Sequence, residues 1–148
     1  MSIEKPNRNT GLLAPFFEAR LLKALDACKE AGLPLAVFEA YRSQDRQNWL
    51  YSQGRTRDGK IVTNAKAWES WHNLSLASDC VFYENKVWTW QGDWDKAHDI
   101  LHAHGFETLS FEKPHVQITG GLSITEAVKI AKSQGALALW SVVEQRLK

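Results

Sequence analysis

The stretch "SWHNLSLASDC", residues 70–80, sets His72 seven positions ahead of Asp79 and surrounds both with small or apolar residues. Farther on, "FEKPHVQI", residues 111–118, places Glu112 three positions before His115, and an apolar run follows. Both segments otherwise read as buried strand. Ionised carboxylates are costly to bury unless a cation or hydrogen-bond donors meet them. A bound metal ion is one way to meet that cost.

Outward from these segments, the pattern is that of an α+β domain. "LASDCVFY", the turn "ENK" and "VWTW" read as a β-hairpin, and "HVQIT" as a further short strand. "APFFEARLLKALDACKEAGLP" carries Phe17, Leu21, Leu25 and Cys28 on one helical face and stops at Gly32 and Pro34. "PLAVFEAYR" then predicts a strand of about seven residues. Ser43 is placed to cap a helix over "QDRQNWLYSQG", ended by Gly54. "RTRDGKIVTNAKAWES" is a polar, turn-rich connection. Asp93 caps "WDKAHDILHAHG", and Ser123 with Glu126 forms a capping box for "ITEAVKIAKSQG". "ALALWSVVEQRLK" closes the chain as another helix. The expected architecture is a small, mostly antiparallel sheet flanked by helices.

The 148 residues fit one domain, with no repeat, linker or low-complexity tract to divide 1–148. Hydrophobic residues at 44% and charged residues at 24% are ordinary globular proportions. A net charge of +1, with no basic stripe, argues against nucleic acid as a partner. The start "MSIEKPNRNTG" has no apolar core, so no secretory signal is expected, and no run approaches membrane-spanning length. The chain is expected to be made in the cytoplasm and to stay soluble as a monomer. Cys28 and Cys80 both read as small buried hydrophobes, and two cysteines make no disulfide framework. Seven tryptophans suit core and groove positions; Trp68 and Trp71, beside Ser70, are expected as groove walls.

Five histidines offer two competing metal sites. His98 and His102, in "HDILH", share a helix face as in the H-E-x-x-H motif, but Asp99 stands where the motif has its longer general base. The alternative combines His72, Asp79 and His115 as an open three-ligand zinc site, with Glu112 nearby to take a proton from water. Spacing alone does not decide, because any chain with five histidines offers some such set.

"SWHNLSLASD", residues 70–79, resembles the S-x-H-x-x-G-x-A-x-D signature of the LAS zinc peptidases. These include D-alanyl-D-alanine carboxypeptidases and dipeptidases, and the L-alanyl-D-glutamate endopeptidases of phage endolysins. "EKPH", residues 112–115, is similar to their second motif, and "EAYRSQDRQNWLYSQGRT", residues 39–56, to the Y-R-S to Q-G-R stretch of the endolysin branch. The resemblance implies the LAS, hedgehog-like zinc peptidase fold. It implies Zn²⁺ held by His72, Asp79 and His115, with Glu112 as catalytic base and later acid. It implies Arg42 facing the scissile carbonyl, and Ser70 and Gln47 near the substrate.

The activity it implies is metalloprotease cleavage of peptidoglycan stem peptides, at the L-Ala–D-Glu bond. Such a bacteriophage or prophage endolysin reaches the cell wall after a holin opens the membrane, and serves cell wall degradation and host cell lysis. No separate wall-binding domain is expected. Two rivals stand beside it: a D-alanyl-D-alanine carboxypeptidase or dipeptidase, and a non-catalytic zinc-bearing wall-binding module. One departure from the signature is Ser75, which stands at its glycine.

Overall fold

The computed structural model describes residues 2–148. Its elements follow the polarity pattern. Helix α1 (Pro15–Glu30) starts with Pro15 in its first turn, where a missing N–H is harmless, and buries Phe17, Leu21, Ala24 and Cys28. Leu25 lies at the edge of that face, only partly buried. Gly32, at φ 82°, turns the chain after the helix into strand β1 (Leu35–Glu39). Ser43 caps α2 (Gln44–Ser52) by accepting from the Arg46 N–H. The connection after α2 contains no regular strand or helix until a 3-10 turn at Trp71–Leu74.

Strand β2 (Ala77–Glu84) pairs antiparallel with β3 (Val87–Thr89) across Asn85 and Lys86. Both turn residues have positive φ, 53° and 64°, as a two-residue hairpin turn matched to strand twist requires. Asp93 caps α3 (Trp94–Ala103). A strand absent from the sequence reading, β4 (Glu107–Leu109), then forms a hairpin with β5 (Glu112–Gln117). The capping box of Ser123 and Glu126 opens α4 (Ile124–Gln134), and α5 (Ala136–Gln145) follows after Gly135.

The sheet order is β1-β2-β5-β4, with β3 on β2, and every pairing is antiparallel. Strand alternation sorts β2 by face. Cys80 and Phe82 join the core with α1 and α3, where Phe17 meets Phe106 edge-on at 5.2 Å. Asp79 and Val81 point to the other face. Val116 and Ile118 likewise enter the core, while His115 and Gln117 share the alternate face. No helix among the described residues is long and apolar enough to cross a membrane.

Candidate active site

Register brings the site together. Asp79 on β2 lies directly opposite His115 on β5 and opposite Glu39 on β1. Side chains of opposed residues in antiparallel strands stand about 5 Å apart. His72 arrives from the 3-10 turn, not from a strand as its apolar neighbours suggested. Ser70 caps that turn by accepting from the His72 N–H, 3.2 Å. The His72 carbonyl accepts from the Arg42 N–H at 3.1 Å, which ties the turn to the end of β1. Trp140 of α5 donates its indole N–H to the Leu74 carbonyl at 2.8 Å and braces the same turn from behind.

Ser75 follows at φ 62° and ψ 26°, the left-handed conformation that the signature glycine would adopt freely. Its hydroxyl donates to the Leu12 carbonyl at 2.8 Å, a compensation glycine would lack.

The ligand atoms of His72, Asp79 and His115 all lie within 4.8 Å of one another. Asp79 Oδ1 is 3.3 Å from His72 Nε2 and 3.7 Å from His115 Nδ1. The remote ring nitrogens are engaged elsewhere. His72 Nδ1–H donates to the Ala40 carbonyl at 2.9 Å, and His115 Nε2–H to Gln117 Oε1 at 2.7 Å. Each imidazole therefore turns its other nitrogen toward Asp79 Oδ1. Acceptors on the far nitrogen of this kind orient histidine ligands in metal sites. Two imidazole nitrogens and one carboxylate oxygen make a donor set suited to an open zinc site.

Burial alone would raise the Asp79 pKa, but the His72 and His115 rings and the Arg42 guanidinium outweigh it and hold the carboxyl well below its ordinary range. Burial pushes His115 down, and its contact with Asp79 reverses this, leaving the imidazole pKa raised.

Behind the site is a charged cluster absent from the sequence reading. Glu39, 3% exposed, accepts from Arg42 Nη2 at 2.7 Å and from Arg46 Nε and Nη2. Arg42 Nη1 donates to Gln47 Oε1 at 3.1 Å, and Nη2 stands 3.5 Å from Asp79 Oδ2. Gln47 is fully buried, and its Nε2 donates to the Ala65 carbonyl at 2.7 Å. Both ends of its amide are engaged within the fold, and its carbonyl oxygen holds the Arg42 guanidinium. A lone carboxylate in the apolar strand "LAVFE" was the available signal for Glu39. Gln117, two residues after His115 on the same strand face, was similarly legible.

Glu112 is exposed and lines a groove of about 520 Å³ that also contains Asp79. Phe38, Trp90, Trp94 and Phe111 wall this groove. The expected walls are displaced from it: Trp68 lines a separate pocket, and Trp71 packs partly buried against the core. His98 and His102 stay apart from the site. His98 Nε2 pairs with the Lys113 carbonyl at 2.8 Å, and His102 Nε2 with Thr108 Oγ1 at 2.7 Å. Cys28 and Cys80 are free, buried thiols.

Residues 12–121, most of the chain, match the family model described as VanY: D-alanyl-D-alanine carboxypeptidase. The chain belongs to that family. The matched span contains all three clustered ligands, Glu112 and the Glu39–Arg42–Gln47 cluster, and ends before α4. The chain is also 36% identical over 100 residues to the peptidoglycan L-alanyl-D-glutamate endopeptidase CwlK of Bacillus subtilis (strain 168). That alignment covers 60% of this chain and 59% of the relative's length.

Two solved structures share the fold. The LdcB LD-carboxypeptidase, described for its peptidoglycan recognition, superposes with TM-score 0.56 at 22% identity, over 89% of this chain and 68% of the other. The L,D-carboxypeptidase DacB of Streptococcus pneumoniae gives TM-score 0.58 at 20% identity, over 93% and 80%. These likenesses fix the mixed helix and antiparallel-sheet architecture.

Proposed function

We propose that this chain is a zinc-dependent peptidase of bacterial peptidoglycan that hydrolyses the L-Ala–D-Glu bond of the stem peptide. The observation that carries the reading is the His72–Asp79–His115 cluster, with each imidazole oriented by an acceptor on its far nitrogen, whose Asp79 lines the same groove as Glu112. Bound Zn²⁺ would supply Lewis acidity, lowering the pKa of water and polarising the scissile carbonyl. The choice of bond is supported by the CwlK likeness and by the Y-R-S to Q-G-R stretch, and the latter also supports a phage or prophage role in host lysis.

In this reading Glu112 takes a proton from the attacking water and returns it to the leaving amine. Its exposure in the groove leaves it free to meet both. Arg42 contributes fixed positive charge where the carbonyl oxygen gains negative charge. Glu39 and Gln47 position that guanidinium, and Ser70 shapes the His72 turn. The groove is aromatic and open, which suits an extended stem held from both sides of the bond.

The test is digestion of purified peptidoglycan with identification of new amino termini by mass spectrometry. Free amino groups on D-glutamate are expected, with no release of D-alanine. Release of D-alanine alone would replace this reading with the carboxypeptidase one. Glu112→Gln should keep the metal and lose about a hundred- to ten-thousand-fold in turnover. Activity within a few-fold of wild type would remove Glu112 from the mechanism.

A further inference from the structure

His98 and His102 of "HDILH" lie outside the ligand cluster, yet both bond to the β4–β5 hairpin that carries Glu112. His102 Nε2 meets Thr108 Oγ1 at 2.7 Å. His98 Nε2 meets the Lys113 carbonyl at 2.8 Å, and since a carbonyl only accepts, the ring nitrogen donates. The first bond reinforces a position already paired, because Thr108 sits opposite Val116 in the sheet. The second falls where pairing fails.

On the β2 side of β5, pairing ends with Asp79 opposite His115. On the β4 side it jumps from Thr108 opposite Val116 to Leu109 opposite Glu112, so Lys113 and Pro114 have no partner in either register. Pro114 also lacks an N–H to donate. The tip of the hairpin, residues 109–112, is thus paired only with itself in the sheet. Its exposed Glu112 carboxylate enters none of the ion pairs among the described residues, so the backbone beneath it decides where it stands. His98 supplies a fixed point for that backbone. It sits one turn after Trp94 on α3, the two rings 5.9 Å apart, and Trp94 and residues 110–114 line the same groove. The His98–Lys113 bond therefore joins the helical wall of the groove to the hairpin wall.

We propose that His98 is a positioning residue for Glu112: by holding the Lys113 carbonyl it fixes the hairpin tip and with it the place of the carboxylate in the groove. The proposal rests on the peptidase reading above, in which Glu112 moves the proton, and deepens it. A general base acts only within hydrogen-bond reach of its proton, and a displacement of about 1 Å can cost about a hundredfold in rate. A carboxylate on an unanchored tip samples many positions, few of them productive. The role requires a donor at the end of the side chain, not an aromatic ring. Glutamine carries its Nε2 donors at a similar reach, whereas phenylalanine keeps a ring beside Trp94 and has no donor.

The test compares His98→Phe, His98→Gln and His102→Phe in the zinc-loaded full chain. The readouts are cleavage of a soluble muropeptide and ¹⁵N relaxation of the Glu112 and Lys113 amides. His98→Phe is expected to retain zinc and a folded amide spectrum, to lose about tenfold in kcat, and to keep KM within about twofold. Its Glu112 order parameter should fall from about 0.85, typical of rigid backbone, to below about 0.6. His98→Gln and His102→Phe should match wild type in both readouts. Wild-type kcat or wild-type order in His98→Phe, an equal loss in His98→Gln, or an equal loss in His102→Phe would overturn the assignment. Relaxation needs no substrate, so the two readings fail separately. Cleavage that is unchanged in His98→Phe removes this inference alone. A wild-type chain that cuts no muropeptide, with order at Glu112 still lost in His98→Phe, removes the peptidase reading and leaves the tether.

Discussion

Replacing Glu39 by glutamine tests whether the buried charged cluster holds the site together. One carboxylate serves two guanidinium groups, with side chains only 4% exposed for Glu39, 11% for Arg42 and 8% for Arg46. Solvent screening at that depth is weak. Glu39→Gln keeps the shape but leaves two buried cations sharing a neutral amide, and breaking a buried ion pair typically costs about 3–5 kcal/mol. The measurement is urea denaturation in the presence of a chelator, so that metal binding does not add to the apparent stability.

A second readout is pH. Burial raises the Glu39 pKa, but Arg46 and Arg42 outweigh it, so the folded value lies below the unfolded one. The stability this provides is complete above the unfolded value, about 4.3, and is lost as pH falls through the folded value. The gap between wild type and Glu39→Gln should therefore narrow only in acid. Released from Glu39, Arg42 is left with Asp79 as its nearest carboxylate, and zinc affinity should fall as well. A loss under about 1 kcal/mol at neutral pH would equate the cluster with a surface ion pair and refute the argument.

Purified protein should carry about one zinc per chain by elemental analysis. His72→Ala, Asp79→Ala and His115→Ala should each lose it, and His98→Ala and His102→Ala should retain it; equal loss from the latter pair would move the metal to α3. Ser75→Gly should change stability by less than about 1 kcal/mol, because relief of the left-handed strain offsets the lost bond to Leu12. Ser75→Ala keeps the strain and loses the bond, so it should destabilise by about 1 kcal/mol in the same denaturation assay; the reverse ranking would contradict this account. Burial pushes the Cys80 thiol up to about 12, so iodoacetamide at pH 8 should label it only after unfolding. Rapid labelling of the native protein would show that β2 opens.

Much of the fold was legible because its signals are local. Ser43, Asp93 and Ser123 satisfy N–H groups only a few residues away, and the apolar faces of α1 and β2 repeat at their own periods. The His72–Asp79–His115 cluster was legible for a different reason: the spacing of His72 and Asp79 and the Glu112–His115 pair can be read as motifs. Strand β4 escaped notice because three residues carry too little alternation to announce a strand. The turn bearing His72 was misread because a buried 3-10 turn is as apolar as a strand.

Only tertiary structure decided the rest, since it depends on atoms brought together from distant positions. The register of β2 on β5 sets Asp79 opposite His115. The Ala40 carbonyl selects which nitrogen His72 turns toward the site, and a backbone carbonyl leaves no mark in a sequence. Glu39 becomes the partner of two arginines through the folding of β1 against α2. Trp68 stands near Ser70 in the chain yet lines a pocket completed by α4 and α5. A side chain's role follows from the face it occupies and what packs against that face, and sequence proximity determines neither.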